Sequence, residues 1–324
     1  MTRRVLVTGA TGAVGPALVA QLLAHGDTVQ VLARTAPALP PTVSVLRGDI
    51  LDPGALARAV AGVEIVFHLA AKLHVNDPAP LLQAEYQRVN VEGTRLVAEA
   101  ARAAGVARLV LFSTINVYGP TPAGTTWNEQ TPLQPDTLYA RTKAEAEQVA
   151  RSLLPTVVLR LAAVYGPGMR GNYPRLLNAI RRGRFVQVGD GLNRRTLVHV
   201  ADVCAAARLV AGHPAALGET FNVTDGEVHT LRTIIAVLSR ACGRRPPRLT
   251  LPLAPLRLAA WLATALLGRR SPLTPALLGK LTEEVAVDGT KLQGLGFRPQ
   301  YDLDTGWRAT VAALYPQLSA SRHE

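Results

Sequence analysis

Over the first 160 residues, short β-branched runs alternate with longer stretches of helical period. The runs "RVLVTG", "TVQVLAR", "VSVLRGD", "VEIVFHLAA", "ARLVLFST" and "TVVLRLA" read as strands. Between them, "GAVGPALVAQLLAHG", "PGALARAVAG", "YQRVNVEGTRLVAEAARAAG" and "YARTKAEAEQVARSLL" carry helical periodicity. The strands are nearly continuously apolar, as strands covered on both faces are. This alternation predicts an α/β fold, a Rossmann-type doubly wound parallel sheet with helices on both faces. With 48% hydrophobic and 18% charged residues, the composition is that of a folded chain.

After Gly166 the texture changes. Gly, Pro and Arg rise, and the segments "YPRLLNAIRRG", "VADVCAAARLVAG", "LRTIIAVLSRACG" and "APLRLAAWLATALLG" read as helices. The expected organisation is a dinucleotide-binding domain over 1–165, with 196–225 returning to it. A smaller, mostly helical and discontinuous substrate-binding region would span 166–324.

In "VTGATGAVG", Gly9, Gly12 and Gly15 follow the first strand and open a helix. A pyrophosphate needs that arrangement, because backbone N–H groups and a helix N-terminus must approach it without intervening side chains. At the end of the second strand an acid would bind a ribose 2′-hydroxyl, whereas an arginine accommodates a 2′-phosphate. Here the strand ends on Ala33 and Arg34, so the expected cofactor is NAD(P), leaning towards NADP. Asp49 and Ile50 suit the adenine ring, and Ala70 and Ala71 are small enough to let backbone face the cofactor.

The net charge of +12 comes from 35 basic and 23 acidic residues, and all but four of the basic ones are arginine. They are scattered without aromatic interleaving, so no nucleic-acid partner is expected. Cys204 and Cys242 have no paired spacing, which argues against a disulfide framework or a metal site and fits a reducing, cytoplasmic setting. The basic-then-apolar start is broken by glycines within a few residues and is not read as a signal peptide. The longest apolar stretch, Leu256 to Gly268, carries Arg257 and falls short of the ~20 residues of a membrane span. It reads as a buried or peripheral amphipathic helix.

In "YARTK", Tyr139 and Lys143 are four apart and share one helix face. That spacing gains weight from the motifs around it: "TGATGAVG", "GDILD", "HLAA", "NVEGT", "FSTINVYG", "LRLAAVYGPG", "RTLVHVADV", "FNVTDGE" and "GFRPQYDLDTGWRATV". Together they resemble the extended short-chain dehydrogenase/reductases, the NAD(P)-dependent epimerase/dehydratases, over nearly the whole chain. The resemblance implies an enzyme in which Tyr139 is general acid/base, Lys143 binds the nicotinamide ribose and lowers the tyrosine pKa, and Thr114 binds the substrate oxygen. It further implies that Asn90 orders the active-site helix, that backbone near Val164 meets the nicotinamide carboxamide, and that Arg195, with Asn172, reaches substrate. Ala13, Val14, Leu69 and Lys72 complete the expected cofactor set. Asp202 reads as structural, a helix cap, while Tyr118 and Tyr165 are as easily core as pocket.

Sugar dehydratases of the family follow the threonine with Asp-Glu, but here Ile115 and Asn116 stand there, so dehydration is disfavoured. A nucleotide-sugar C4 epimerase or ketoreductase is the first expectation. It draws on seven arginines between Arg170 and Arg195 set against Asp190 alone. A reductase of lipophilic ketones, similar to 3β-hydroxysteroid dehydrogenases and dihydroflavonol reductases, is the second. It draws on "GRFVQVGDG", on the apolar 251–268 segment, on "SPLTPALLGKL" and on Ala163. A non-catalytic NADP-binding sensor is the third, disfavoured because Tyr139 and Lys143 are both present. The expected partner is a small-molecule substrate, with no integral membrane segment, and a homodimer is compatible with the family.

Overall fold

A computed structural model of the chain describes residues 2–35, 38–72, 80–247, 249–267, 278–279 and 282–317. Its strands are β1 (Arg4–Thr8), β2 (Thr28–Ala33), β3 (Ser44–Arg47), β4 (Ile65–His68), β5 (Arg108–Thr114) and β6 (Thr156–Leu161). Shorter ones follow: β7 (Ala163–Tyr165), β8 (Gln187–Val188), β9 (Arg194–Arg195), β10 (Leu197–His199), β11 (Thr220–Val223), β12 (His229–Thr230) and β13 (Thr250–Leu251). The helices are α1 (Gly15–Ala24), α2 (Pro53–Ala59), α3 (Pro80–Tyr86), α4 (Gly93–Ala103), α5 (Leu138–Leu153) and α6 (Asn172–Arg181). They continue with α7 (Val200–Gly212), α8 (Leu231–Ala241), α9 (Leu253–Leu267), α10 (Thr290–Gly294) and α11 (Leu303–Leu314).

Seven strands form one parallel sheet in the order β11-β6-β5-β4-β1-β2-β3. The order reverses between β1 and β4, and at such a switch point the loops diverge and leave a crevice at the carboxyl ends of the strands. The period-2 alternation along each strand divides its side chains between two cores. Val5 and Val7 pack with Leu18, Val19 and Leu22 of α1 and Val203 and Val210 of α7. Leu6 packs on the other face with Leu56 of α2, Val97 of α4 and Ala150 of α5. Each such fully buried aliphatic side chain contributes roughly 1.5–3 kcal/mol, so the doubly wound arrangement follows from strands apolar on both faces.

The C-terminal side has a separate core. Leu177 and Ile180 of α6, Ile234 and Leu238 of α8 and Trp307 of α11 enclose Tyr165. The Tyr165 ring stacks on Trp307 at 4.4 Å between centroids. A Cβ at Gly306 would lie 2.1 Å from the Tyr165 hydroxyl, so only glycine lets α11 pack there. Tyr165 and Tyr118 are therefore core residues. Among the described residues, the remaining sheets are two-stranded, pairing β10 with β7, β12 with β9 and β13 with β8. The expected helices after Gly166 form, and α11 adds one where the sequence offered only a motif. Of "SPLTPALLGKL", all but 278 and 279 lie outside the described residues, as does Gly268.

Candidate active site

The glycine turn sits where β1 feeds α1. Gly9 has φ +76°, and a Cβ there would lie 2.5 Å from the backbone N of Ala70. A Cβ at Gly15 would lie 2.4 Å from the Ala10 carbonyl. These two glycines let the turn nest against the end of β4 and let α1 start close behind β1. Gly12 donates its N–H to the Gly9 carbonyl at 2.9 Å. The N-cap of α1, Val14, supplies no capping side chain, and the first turn holds no acid. The helix N-terminus is thus left for an anion, and the residues present fit a dinucleotide pyrophosphate. From the other side, Gly168 approaches Ala13, and Arg170 donates to the Thr11 carbonyl at 3.0 Å. This strap across the turn joins residues 159 apart and was not legible from motif spacing.

At the adenosine end, Arg34 is exposed just after β2. Arg47, the last residue of β3, is in register with Ala33 and donates to the Arg34 carbonyl at 3.3 Å. A second arginine side chain therefore reaches the backbone of the arginine read from sequence. Strand register between β2 and β3 was the signal that pattern alone did not supply. Asp49 accepts the Leu51 N–H at 3.0 Å, turning the chain towards α2. Ile50 is buried against Gly93, where a Cβ would lie 2.7 Å from its side chain.

Beyond β4 a buried hydrogen-bond relay locks the floor of the site. The His68 ring bonds the Thr8 hydroxyl at 2.7 Å and the Thr94 hydroxyl at 3.0 Å. Thr94 donates to the Asn90 carbonyl at 2.6 Å. Asn90 is fully buried in a π-helical turn, Gln87–Glu92, the wide geometry that recurs at functional sites. Its side chain accepts the Lys72 N–H at 2.7 Å and donates to the Thr142 hydroxyl at 3.0 Å. Thr142 in turn donates to the Tyr139 carbonyl at 3.0 Å. Asn90 thereby ties the chain after β4 to the first turn of α5. Leu69, Ala70 and Ala71 run along this tied segment; Leu69 donates to the Thr8 carbonyl at 3.1 Å. The Lys72 ammonium points to Glu85 at 2.7 Å.

The α5 helix starts at Thr137, whose hydroxyl accepts the Ala140 N–H at 3.2 Å. Tyr139 is half-buried and Lys143 buried. Burial, and then the neighbouring Tyr86, pushes the Tyr139 phenol up to about 12. Burial pulls the Lys143 ammonium down to about 8, partly offset by Glu147 one turn on. The lowered tyrosine pKa expected from sequence rests on the Lys143 ammonium and the cofactor's positive ring together; among the protein's own groups burial dominates and raises the phenol.

Ser113 and Thr114 divide as neighbours in a strand must. Ser113 donates to Glu147, which pairs with Arg160. Arg160 also donates to the Tyr118 hydroxyl at 2.9 Å, and Tyr118 to Asn222 at 2.8 Å. Thr114, at the carboxyl end of β5, accepts the Asn116 N–H at 3.2 Å. Ile115 is buried in the core, and no acid follows Thr114.

The substrate-side residues are spread wider. Val164 lies in β7, paired with Val198. Asn172 opens α6 and is exposed. Arg195 lies in β9 opposite His229; burial pushes the neighbouring Tyr173 phenol up to about 12, and Arg195 offsets that only in part. The arginine cluster does not act together: Arg194 pairs with Glu284 at 2.9 Å and Arg181 stacks over Tyr315. Asp202 is not a helix cap. His199 caps α7, and buried Asp202 accepts the N–H groups of Gln300 and Tyr301 at 2.8 and 3.2 Å. A cavity of about 520 Å³ lies between Gly189–Asn193, the start of α9 and Glu284, and Tyr139 is not among its lining residues.

This fold and motif set match the model of the NAD dependent epimerase/dehydratase family over residues 5–224. The chain belongs to that family. A dTDP-glucose 4,6-dehydratase of Streptomyces griseus is 32% identical, covering 96% of this chain and 94% of the relative. A 2-alkyl-3-oxoalkanoate reductase of Stenotrophomonas maltophilia (strain K279a) is 35% identical over 74% of this chain and 76% of its own. The structure of MoeE5 in complex with UDP-glucuronic acid and NAD superposes with a TM-score of 0.77 at 28% identity, covering 97% of this chain and 99% of that one. With dehydratases, epimerases and reductases as relatives, this is an enzyme of the extended short-chain dehydrogenase/reductase type that uses a nicotinamide dinucleotide.

Proposed function

We propose that this enzyme moves a hydride between NAD(P) and the secondary alcohol or ketone carbon of a nucleotide sugar, as a C4 epimerase or ketoreductase. The observation that carries the reading is the placement of Tyr139 and Lys143 on α5, whose first turn is tied through Thr142 and Asn90 to the chain after β4. Bound NAD(P) supplies the carbon that accepts or returns the hydride. Tyr139 takes the hydroxyl proton in one direction and returns it in the other. Lys143, still largely an ammonium at neutral pH, stabilises the phenolate and donates to the ribose. Thr114 donates to the substrate oxygen as charge develops on it. The exposed Arg34 with Arg47 suits a 2′-phosphate, favouring NADP. Similarity to MoeE5, whose structure holds UDP-glucuronic acid, supports a nucleotide-sugar substrate.

Incubation with UDP- and dTDP-hexoses, followed by NMR of the sugar, tests this. C4 inversion without net cofactor consumption marks an epimerase; stoichiometric NADPH oxidation marks a ketoreductase. Absence of either would reject the nucleotide sugar. The second reading, reduction of a lipophilic ketone, rests on Ala163, where many nucleotide-sugar members place asparagine, and on similarity to the alkanoate reductase. NADPH oxidation by long-chain β-keto acids, with none by sugars, would favour it.

A further inference from the structure

Ten large hydrophobic side chains are exposed among the described residues, and seven of them belong to one stretch of surface. Val186 and Leu192 flank β8, Leu249 and Leu251 lie beside and in β13, and Leu258, Trp261 and Leu262 project from α9. These elements are joined. β8 pairs with β13, Gly189 donates to the Leu251 carbonyl at 2.9 Å, and Leu192 and Leu253 line the same cavity. The α9 helix is apolar on both sides. Leu256 and Ala260 turn inward, while Leu258 (60% exposed), Trp261 (62%) and Leu262 turn outward one helical turn apart. A monomer gains nothing from leaving a tryptophan and several leucines together in water.

The exposed charge on these stretches is mostly positive, with Asp190 beside the patch and Glu284, paired with Arg194, lining the cavity. Arg182, Arg184, Arg244, Arg245 and Arg257 are exposed on these same stretches. Arg244 donates to the Arg181 carbonyl at 3.2 Å, which brings the two arginine groups together across β8 and β13. Over 182–192 and 244–262 the one acid is Asp190. No helix among the described residues is long and apolar enough to cross a membrane. An apolar helix face with an aromatic centre and an arginine rim matches the boundary between acyl chains and anionic headgroups.

We propose that the face built from β8, β13 and α9 seats this enzyme on an anionic lipid bilayer. Trp261, Leu258 and Leu262 enter the interface, and the arginines lie at headgroup level. The cavity bounded by Leu192 and Leu253 then opens at the membrane surface. The inference does not depend on the substrate reading above.

The full-length protein is mixed with vesicles of phosphatidylcholine alone, and with vesicles that also hold phosphatidylglycerol. Trp261 is the exposed tryptophan, Trp307 being buried and Trp127 partly so, which makes emission a local probe. The expected result is co-sedimentation with the anionic vesicles only, a blue shift of emission, and release by high salt. W261E should weaken binding at least ten-fold, and R244Q with R245Q roughly thirty-fold, with NADPH binding and thermal unfolding unchanged. No binding to anionic vesicles at low ionic strength would overturn the proposal. So would binding that W261E leaves intact, or a dimer that W261E splits in a protein that ignores vesicles.

Discussion

The carboxyl edge of the large sheet and the β8–β13–α9 side of the molecule are built on different terms. At the sheet edge the backbone is fixed by buried partners, from Gly9 pressed on Ala70 to the relay through His68, Thr94 and Asn90. On the other side the strands are two residues long, Gly183 and Gly189 have room, and large apolar side chains face outward. Chemistry common to a family needs the first kind of construction, because sub-ångström placement of an acid, a base and a pyrophosphate tolerates few sequences. Substrate and surface recognition is satisfied by many sequences, so the second kind varies more freely.

That contrast can be broken by mutation. Beneath the site, Glu147 and Arg160 form a buried pair at 2.6 Å, with side chains 3% and 8% exposed. Arg160→Met leaves a buried carboxylate without its partner and should cost about 3–5 kcal/mol in chemical denaturation. Arg194→Met, removing the more exposed pair with Glu284, should cost under about 1 kcal/mol. Equal losses would erase the distinction between the two regions. Glycines offer the next test. Gly9→Ala meets both a positive φ and a backbone contact, and should cost about 2–5 kcal/mol and abolish cofactor binding. Gly189→Ala has a similar φ but nothing within 4 Å, so it should cost only about 1–2 kcal/mol.

Two histidines should respond to pH with opposite sign. Burial, helped by Lys143, holds His68 down at about 3. Its unfolded form takes up a proton below about pH 6.5, so the stability it permits is complete above that pH and is lost as pH falls towards 3. The loss by pH 5 is on the order of 2 kcal/mol, and His68→Gln should flatten the melting-temperature profile there. His229 runs the other way. Burial opposes its charge, but Asp225 at 2.7 Å prevails and raises its pKa. Its contribution is present at pH below the unfolded value and is lost as pH rises through the folded one, so His229→Gln should cost less at pH 9 than at pH 6. The smallest effect concerns cofactor choice. Arg34→Ala or Arg47→Ala should weaken NADP roughly ten-fold, about one charge-assisted hydrogen bond, and NAD hardly at all, by fluorescence titration. Equal weakening of both would remove this pair as the selectivity element.

Much of the sheet edge was legible in the sequence because each feature there has a local cause. The glycines follow a strand, the strands are apolar on both faces, and Tyr139 and Lys143 share a helix face. What escaped depends on pairing between distant segments. Arg47 reaches Arg34 through strand register, Arg170 crosses to Thr11, and Asp202 reaches Gln300 and Tyr301. The π-turn at Asn90 was hidden inside a helical pattern. Which members of the arginine run from Arg170 to Arg195 would suit a diphosphate was not legible, because acids such as Glu284, remote in sequence, could not be seen beside them.

In the proposed mechanism Tyr139 moves the proton at this edge. Turnover and NAD(P)H affinity, measured together in Tyr139→Phe and the unmodified enzyme, test that role. Removing the hydroxyl alone should lower turnover by roughly 10²–10⁴-fold, leaving cofactor affinity and melting temperature unchanged. Undiminished turnover in Tyr139→Phe, with the cofactor still bound, would contradict it.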